Sequence, residues 1–166
     1  MHNYSMPFVI VMALTSAVLL STACDNETSR GPLKPTGISS EFAVAIGPTP
    51  LVRRSVPGSL CPFRPPFFVP LELFVESTSG STVFLNRVDF QFIDSFGAAG
   101  PQISTGQPAL QRRFGHVGLP PQSSRVFPFS VEFGCGTLPT GTINVFVQTT
   151  DGKRGPKEKS LKVSVR

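Results

Sequence analysis

The 166-residue chain has no tryptophan, one tyrosine, two histidines and three cysteines, and only 15% of its residues are charged. So low a charge excludes a highly charged disordered chain. Helix-compatible stretches are also scarce, because 17 prolines and 15 glycines interrupt the sequence. Both residues destabilise helix interiors, which argues against a helical bundle or a coiled coil. The composition is typical of an all-β domain with short strands and tight turns.

The side chains that catalytic and metal sites require are scarce as well. After residue 23 the only histidine is His116, in a glycine-flanked stretch typical of a surface loop. No Gly-x-Ser-x-Gly motif, Cys-x-x-Cys pair or phosphate-binding loop occurs. We therefore expect no cofactor, no metal and no enzyme activity, with a hydrolase built on His116 as the remaining enzymatic alternative. The lack of Trp, and of Tyr beyond Tyr4, also disfavours nucleic-acid binding.

The N-terminus has the pattern of a secretory signal. Residues 1–23 contain no Lys, Arg, Asp or Glu, and an apolar run extends from Phe8 to Leu20. A signal core has about 7–15 residues, whereas a membrane-spanning helix needs about 20. The run is therefore predicted to belong to a signal peptide over residues 1–23, which exports the chain.

The predicted signal ends in Ser21-Thr22-Ala23-Cys24, which resembles the lipobox of bacterial lipoproteins. The resemblance implies cleavage before Cys24 and lipid on this cysteine. It also implies a membrane-anchored protein of the cell envelope, on the periplasmic or the cell-surface side. A plain secretory signal cleaved after Ala23 is the alternative.

After the signal, the chain is predicted to form a tether and then a run of strands. Residues 24–40 contain only two large apolar side chains and are predicted to be flexible. From residue 41 onward, apolar and polar side chains alternate with period two between glycine and proline turns. The seven predicted strands span residues 42–46, 68–76, 82–93, 107–114, 125–133, 142–149 and 159–165. One apolar face per strand predicts two packed antiparallel sheets.

This layout over residues 41–166 resembles the immunoglobulin-like sandwiches of bacterial surface proteins, on strand number and spacing. The resemblance implies an antiparallel β-sandwich of about seven strands, with Phe in place of the absent core Trp. It also implies that the connections holding Cys61 and Cys135 lie at the same pole. With Cys24 lipidated, these are the two remaining cysteines, so we predict a disulfide worth about 4 kcal/mol. Two free buried thiols are the alternative.

The net charge of the chain is concentrated near its C-terminus. Residues 153–166 hold six basic residues and one acidic residue, so the whole net charge of +5 falls there. The interpretation that the sequence favours is an edge strand whose lysines prevent aggregation. The alternative is a contact with anionic lipid or an anionic envelope polymer. The candidate contact residues are Lys153, Arg154, Lys157, Lys159 and Lys162.

Phe74 and Phe146 alternate out of phase with the apolar residues of their predicted strands. They are therefore candidates for an outward-facing patch that binds a partner. The alternatives are a locally inverted strand face or a loop that covers the rings.

Together these features predict a non-catalytic, exported and lipid-anchored immunoglobulin-like module. It would bind or space an envelope or extracellular partner, either another envelope protein or a glycan, through its pole loops or an exposed sheet edge. The lack of Trp, and of Tyr after the predicted signal, disfavours the glycan, because sugar-binding platforms usually use aromatic stacking. The alternative function is a protease inhibitor or chaperone-like accessory protein that presents the rigid proline-rich loop 59–70.

Overall fold

The computed structural model describes residues 41–153 and 155–166. The predicted signal peptide, Cys24, the tether and Arg154 lie outside the described residues. The described elements, in chain order, are β1 (Phe42–Gly47), β2 (Arg54–Ser55), β3 (Phe67–Ser77), β4 (Val83–Asp94), β5 (Ala99–Gly106), α1 (Gln107–Phe114), β6 (Gly118–Leu119), β7 (Ser124–Phe133), β8 (Gly141–Thr150) and β9 (Lys157–Val165). No helix in this part of the chain is long and apolar enough to cross a bilayer.

The strands form two sheets whose ladders are antiparallel. In the first sheet, β1 and β2 pair with one edge of β3, and β7 pairs with the other edge. The second sheet has the order β5-β4-β8-β9, with β6 paired to the start of β4. The prediction of an all-β sandwich of two antiparallel sheets is confirmed.

Phenylalanine fills the space between the two sheets. Val88, Phe90 and Phe92 on β4 are buried, as the period-two alternation predicts. The Phe92 ring stacks on the ring of Phe133 from the other sheet, with 3.9 Å between the centroids. The Phe90 ring lies 4.9 Å from the ring of Phe129, in a tilted arrangement with 56° between the planes. Burial of each ring contributes about 1.5–3 kcal/mol, so these contacts are a principal source of stability.

The prediction of a strand over residues 107–114 is wrong, because this segment is the helix α1. Pro108 lies in the first helical turn, where its missing N–H costs nothing. Leu110 and Phe114 are four residues apart and thus share one face. Leu110 is fully buried, and the Phe114 ring lies 5.3 Å from the rings of Phe127 and Phe129. This packing stabilises a helix that periodicity alone does not reveal in so short a segment.

The strand next to β4 lies earlier in the sequence than predicted. We expected a turn over residues 94–101, whereas β5 begins at Ala99 and extends to Gly106. Pro101 is compatible with β5 because this is an edge strand that pairs only with β4 among the described residues.

Gly141 offers a direct test of the contact between β4 and β8. A Cβ atom at this position would overlap the carbonyl oxygen of Ile93 and lie 2.6 Å from the Cα of Asp94. We expect Gly141→Ala to lower the free energy of unfolding by about 1–3 kcal/mol, measured by urea denaturation. Gly80→Ala is the matched control, because nothing lies within 4 Å of a Cβ built there. Equal stability of the two variants would contradict this strand pairing.

Candidate functional site

The two ends of the sandwich differ in chemistry. The first described residue, Glu41, lies beside the end of β3, because Phe42 pairs with Ser77. The β8–β9 hairpin reaches the same end, where the Lys157 Nζ lies 3.8 Å from the Glu41 Oε1. We call this the proximal end, and the opposite end of the strands the distal end.

The distal end contains the predicted disulfide, which is confirmed. Cys61 and Cys135 are bonded, with 5.6 Å between their Cα atoms and 74 positions between them in the sequence. They meet because Phe67 pairs with Phe133, so the loop before β3 and the loop after β7 emerge side by side. The bond therefore joins the β2–β3 loop to the β7–β8 loop.

Asp94 ties a third loop to the same end. Its Oδ1 accepts hydrogen bonds from the backbone amides of Phe96, at 2.9 Å, and Ala98, at 2.8 Å. Its Oδ2 accepts one from the amide of Leu138, at 2.9 Å. These bonds, that of Leu138 first, hold the pKa of the Asp94 carboxyl below its ordinary value of 3.8. The carboxylate thus links the β4–β5 turn to the β7–β8 loop.

Exposed apolar side chains are concentrated at the distal end. Six large apolar residues of the described chain are exposed, and only Val126 lies on a sheet face rather than in a distal segment. Phe63 is 92% exposed and Phe96 is 87% exposed. The distal set is Val52, Leu60, Phe63, Phe96 and Leu138. Clustered exposed apolar residues of this kind are typical of an interaction surface.

The four described members of the proposed anionic contact, Lys153, Lys157, Lys159 and Lys162, do not lie on one surface. Lys157 is near Glu41, and the Lys159 Nζ lies 5.2 Å from the centroid of the Phe42 ring. Burial lowers the pKa of the Lys159 ammonium. Lys162 lies on the outer face of the second sheet. It is three positions from Lys159 on β9, so the two side chains point to opposite faces of the strand. Lys153 is exposed in the proximal hairpin turn.

Phe74 and Phe146 are half-buried residues at outward-facing positions, and the structure does not bring them together. Phe74 belongs to β3 of the first sheet, where it pairs with Ala45 and Val126. Phe146 belongs to β8 of the second sheet, where it pairs with Asp89 and Ser160. The two rings therefore lie on the opposite outer faces of the sandwich.

The outer face of the second sheet forms a polar grid around Phe146. Its three rows, read across β5, β4, β8 and β9, are Gly106, Arg87, Gln148 and Glu158; Ser104, Asp89, Phe146 and Ser160; and Gln102, Gln91, Asn144 and Lys162. Phe146 is the one large apolar side chain in these rows. A groove of about 500 Å³ lies on this face and is lined by nine of these residues together with Phe90, Val145 and Leu161. We call it the outer groove.

Hydrogen bonds fix several polar groups in the outer groove and beside it. The Arg87 Nε donates to the Asp89 Oδ1 at 2.8 Å, and Asp89 is only 4% exposed. This bond and the charge of Asp89 raise the pKa of the Arg87 guanidinium. The Gln148 Nε2 donates to the Glu158 Oε1 at 2.9 Å. The Gln91 Nε2 donates to the carbonyl oxygen of Gly100 at 3.3 Å.

Sequence reasoning identified Phe146 and Lys162 but missed the outer groove as a unit. The signal was the period-two alternation, which gives Arg87, Asp89 and Gln91 one common face. What the alternation cannot supply is the register that sets these residues beside those of β8 and β9.

The ring of His116 packs edge-on against the ring of Phe84, with 6.3 Å between the centroids. Within residues 41–153 and 155–166, no group of three His, Cys, Asp or Glu side chains is close enough to hold a metal ion.

Comparisons with known proteins inform the fold only. No protein-family model matches the chain, and no curated protein matches its sequence. The chain is similar to an X-ray structure of a Northeast Structural Genomics Consortium target, with 8% identity and a TM-score of 0.55, over 78% of this chain and 90% of that one. It is also similar to a Bordetella pertussis protein assigned as ApaA, with 13% identity and a TM-score of 0.47, over 81% of this chain and 98% of that one. The first likeness supports a shared fold.

Asp94 gives the distal end a testable pH dependence. Because its pKa is lowered on folding, its stabilising effect is complete above the ordinary value near 3.8 and is lost as the pH falls through the lowered pKa. We expect Asp94→Asn to be less stable than the wild type at pH 7 and to lack this acid-dependent loss. Urea denaturation between pH 2 and about 7 measures both effects.

Glu132→Gln is the matched control, since Glu132 is an exposed carboxylate on β7. This variant should keep the wild-type acid dependence. If Asp94→Asn kept it as well, the assignment of Asp94 as the residue that ties the loops would be contradicted.

Proposed function

We propose that the protein is a non-catalytic module of the cell envelope, anchored by lipid on Cys24, that binds another envelope protein through its distal end. The observation that carries this proposal is the concentration of exposed apolar side chains on the cross-linked distal loops. Such loops lose little conformational entropy on binding, because the disulfide and Asp94 already hold them.

We also assign the sandwich to the immunoglobulin-like type. The pairing of β1 with β3 and of β3 with β7 supports this assignment, because it matches strands A, B and E. In the second sheet β4, β8 and β9 match strands C, F and G, and β5 takes the place of C′ beside C. On this assignment α1 occupies the connection where a strand D would lie.

The positions of the two ends support an orientation on the membrane. Residue 41 lies at the proximal end, so a tether of residues 24–40 would hold this end nearest the bilayer. A flexible chain of that length spans about 20–25 Å. Lys153 belongs to the hairpin connection at the same end, where it would meet anionic headgroups. The distal loops would then point away from the membrane, and the disulfide is consistent with an oxidising compartment.

The protease-inhibitor alternative has less support from the loop geometry. Phe63 is highly exposed beside the disulfide, as a reactive-site side chain would be. However, the Arg64 amide donates to the Leu60 carbonyl oxygen at 3.1 Å, so this segment closes into a tight turn. A protease cleft that binds its ligand as an added strand requires an extended segment instead of a tight turn.

Site-specific photo-crosslinking in a Gram-negative bacterium that makes the full chain tests the proposal. We expect a photoreactive residue at position 63 to yield a covalent adduct with one envelope protein. The adduct should disappear in a Leu60→Ser variant, since truncating an interface anchor costs more than about 2 kcal/mol. The Cys24→Ser variant should also leave the membrane fraction.

A photoreactive residue at position 126 is the control, because Val126 is exposed but lies on a sheet face. It should yield no such adduct. Equal labelling from positions 63 and 126, or no adduct from position 63, would contradict distal binding. Retention of Cys24→Ser in the membrane fraction would contradict the lipid anchor separately.

A further inference from the structure

We propose that the outer groove is a second binding site, and that it takes a neutral saccharide chain with one pyranose ring stacked on Phe146. The site lies on the outer face of the second sheet, so it is separate from the distal loops. The proposal therefore goes beyond the function proposed above and does not depend on it.

The arrangement around Phe146 matches the amphipathic character of a sugar ring. Asp89 and Ser160 are its direct partners across the sheet, and Asn144 and Gln148 are its outward neighbours on β8. One apolar ring is thus surrounded by groups that donate or accept hydrogen bonds. A pyranose has the complementary shape, with an apolar C–H face and a rim of hydroxyl groups.

The polar groups around the ring are positioned before any ligand binds. The Arg87 Nε holds one carboxylate oxygen of Asp89 at 2.8 Å, and a carboxylate offers about four acceptor positions. The Asp89 side chain is almost fully buried, so its orientation is fixed by the sheet. Gln91 and Gln148 are held by hydrogen bonds of 3.3 Å and 2.9 Å. A site of this kind loses little entropy when it binds a hydroxyl group.

The charge balance favours a neutral ligand. Arg87 and Lys162 are basic, whereas Asp89 and Glu158 are acidic, so the four charged groups cancel formally. A polyanion or a polycation would meet repulsion from one of the two pairs. The groove thus differs from the basic hairpin turn, for which an anionic partner is proposed.

The size of the groove and the single aromatic ring of the grid argue for a saccharide rather than a protein. The groove volume of about 500 Å³ is within the range of about 300–1,000 Å³ typical of small-ligand sites. Protein interfaces generally have several aromatic or aliphatic anchors at their centre. The grid offers only Phe146 as a large apolar side chain.

The test uses the full chain, purified in a detergent that lacks a sugar headgroup. The probes are chitotetraose and cellotetraose, followed by saturation-transfer NMR and calorimetry. We expect at least one of them to bind with a dissociation constant below about 1 mM, and Phe146→Ala to raise that constant about tenfold. A Gly-Ser tetrapeptide should not bind.

Phe74→Ala is the matched control, since Phe74 is also half-buried at an outward position but lies on the first sheet. It should bind as the wild type does, and so should Phe63→Ser, which changes only the distal end. Phe146→Ala and Phe74→Ala should both show cooperative unfolding. The proposal is overturned if neither oligosaccharide binds, if Phe74→Ala weakens binding as much as Phe146→Ala, or if the tetrapeptide binds in a Phe146-dependent way.

Discussion

The contact between phenylalanine rings of β4 and β7 is the interaction on which the other features depend. Phe90 with Phe129 and Phe92 with Phe133 join the two sheets across the core. Because side chains alternate along a strand, fixing Phe90 and Phe92 inward fixes Asp89 outward. The same layer packing fixes Val145 and Val147 inward, so Phe146 projects from the opposite face of β8. The outer groove thus follows from the composition of the core.

The two proposed sites rest on different consequences of this core. The β2–β3 and β7–β8 loops lie side by side at the distal end, because β3 begins there next to the end of β7. The bond between Cys61 and Cys135 joins these two loops covalently and restricts their movement. The outer groove requires no loops, because the register of four strands sets its polar groups. A module of this design could hold one partner at its tip and another ligand on its side.

Much of the fold was predictable because period-two alternation is a local property. It located β1, β3, β4, β7, β8 and β9, and the cysteine positions indicated the disulfide. The segment 107–114 failed because its helix depends on Leu110 and Phe114 packing against β7, which is a long-range effect. Phe74 and Phe146 were candidates for one outward-facing patch, but their separation onto two sheets depends on topology. The distal position of Phe96 and Leu138 depends on hydrogen bonds to Asp94 that no spacing reveals.

A double-mutant cycle between Phe92 and Phe133 tests the central claim most directly. The variants are Phe92→Leu, Phe133→Leu and the double substitution, with the free energy of unfolding measured by chemical denaturation. If the two rings join the sheets as described, the cycle should give a coupling energy of about 0.5–1.5 kcal/mol. Strictly additive losses would show that the rings do not touch, and would contradict the packing from which both sites are derived.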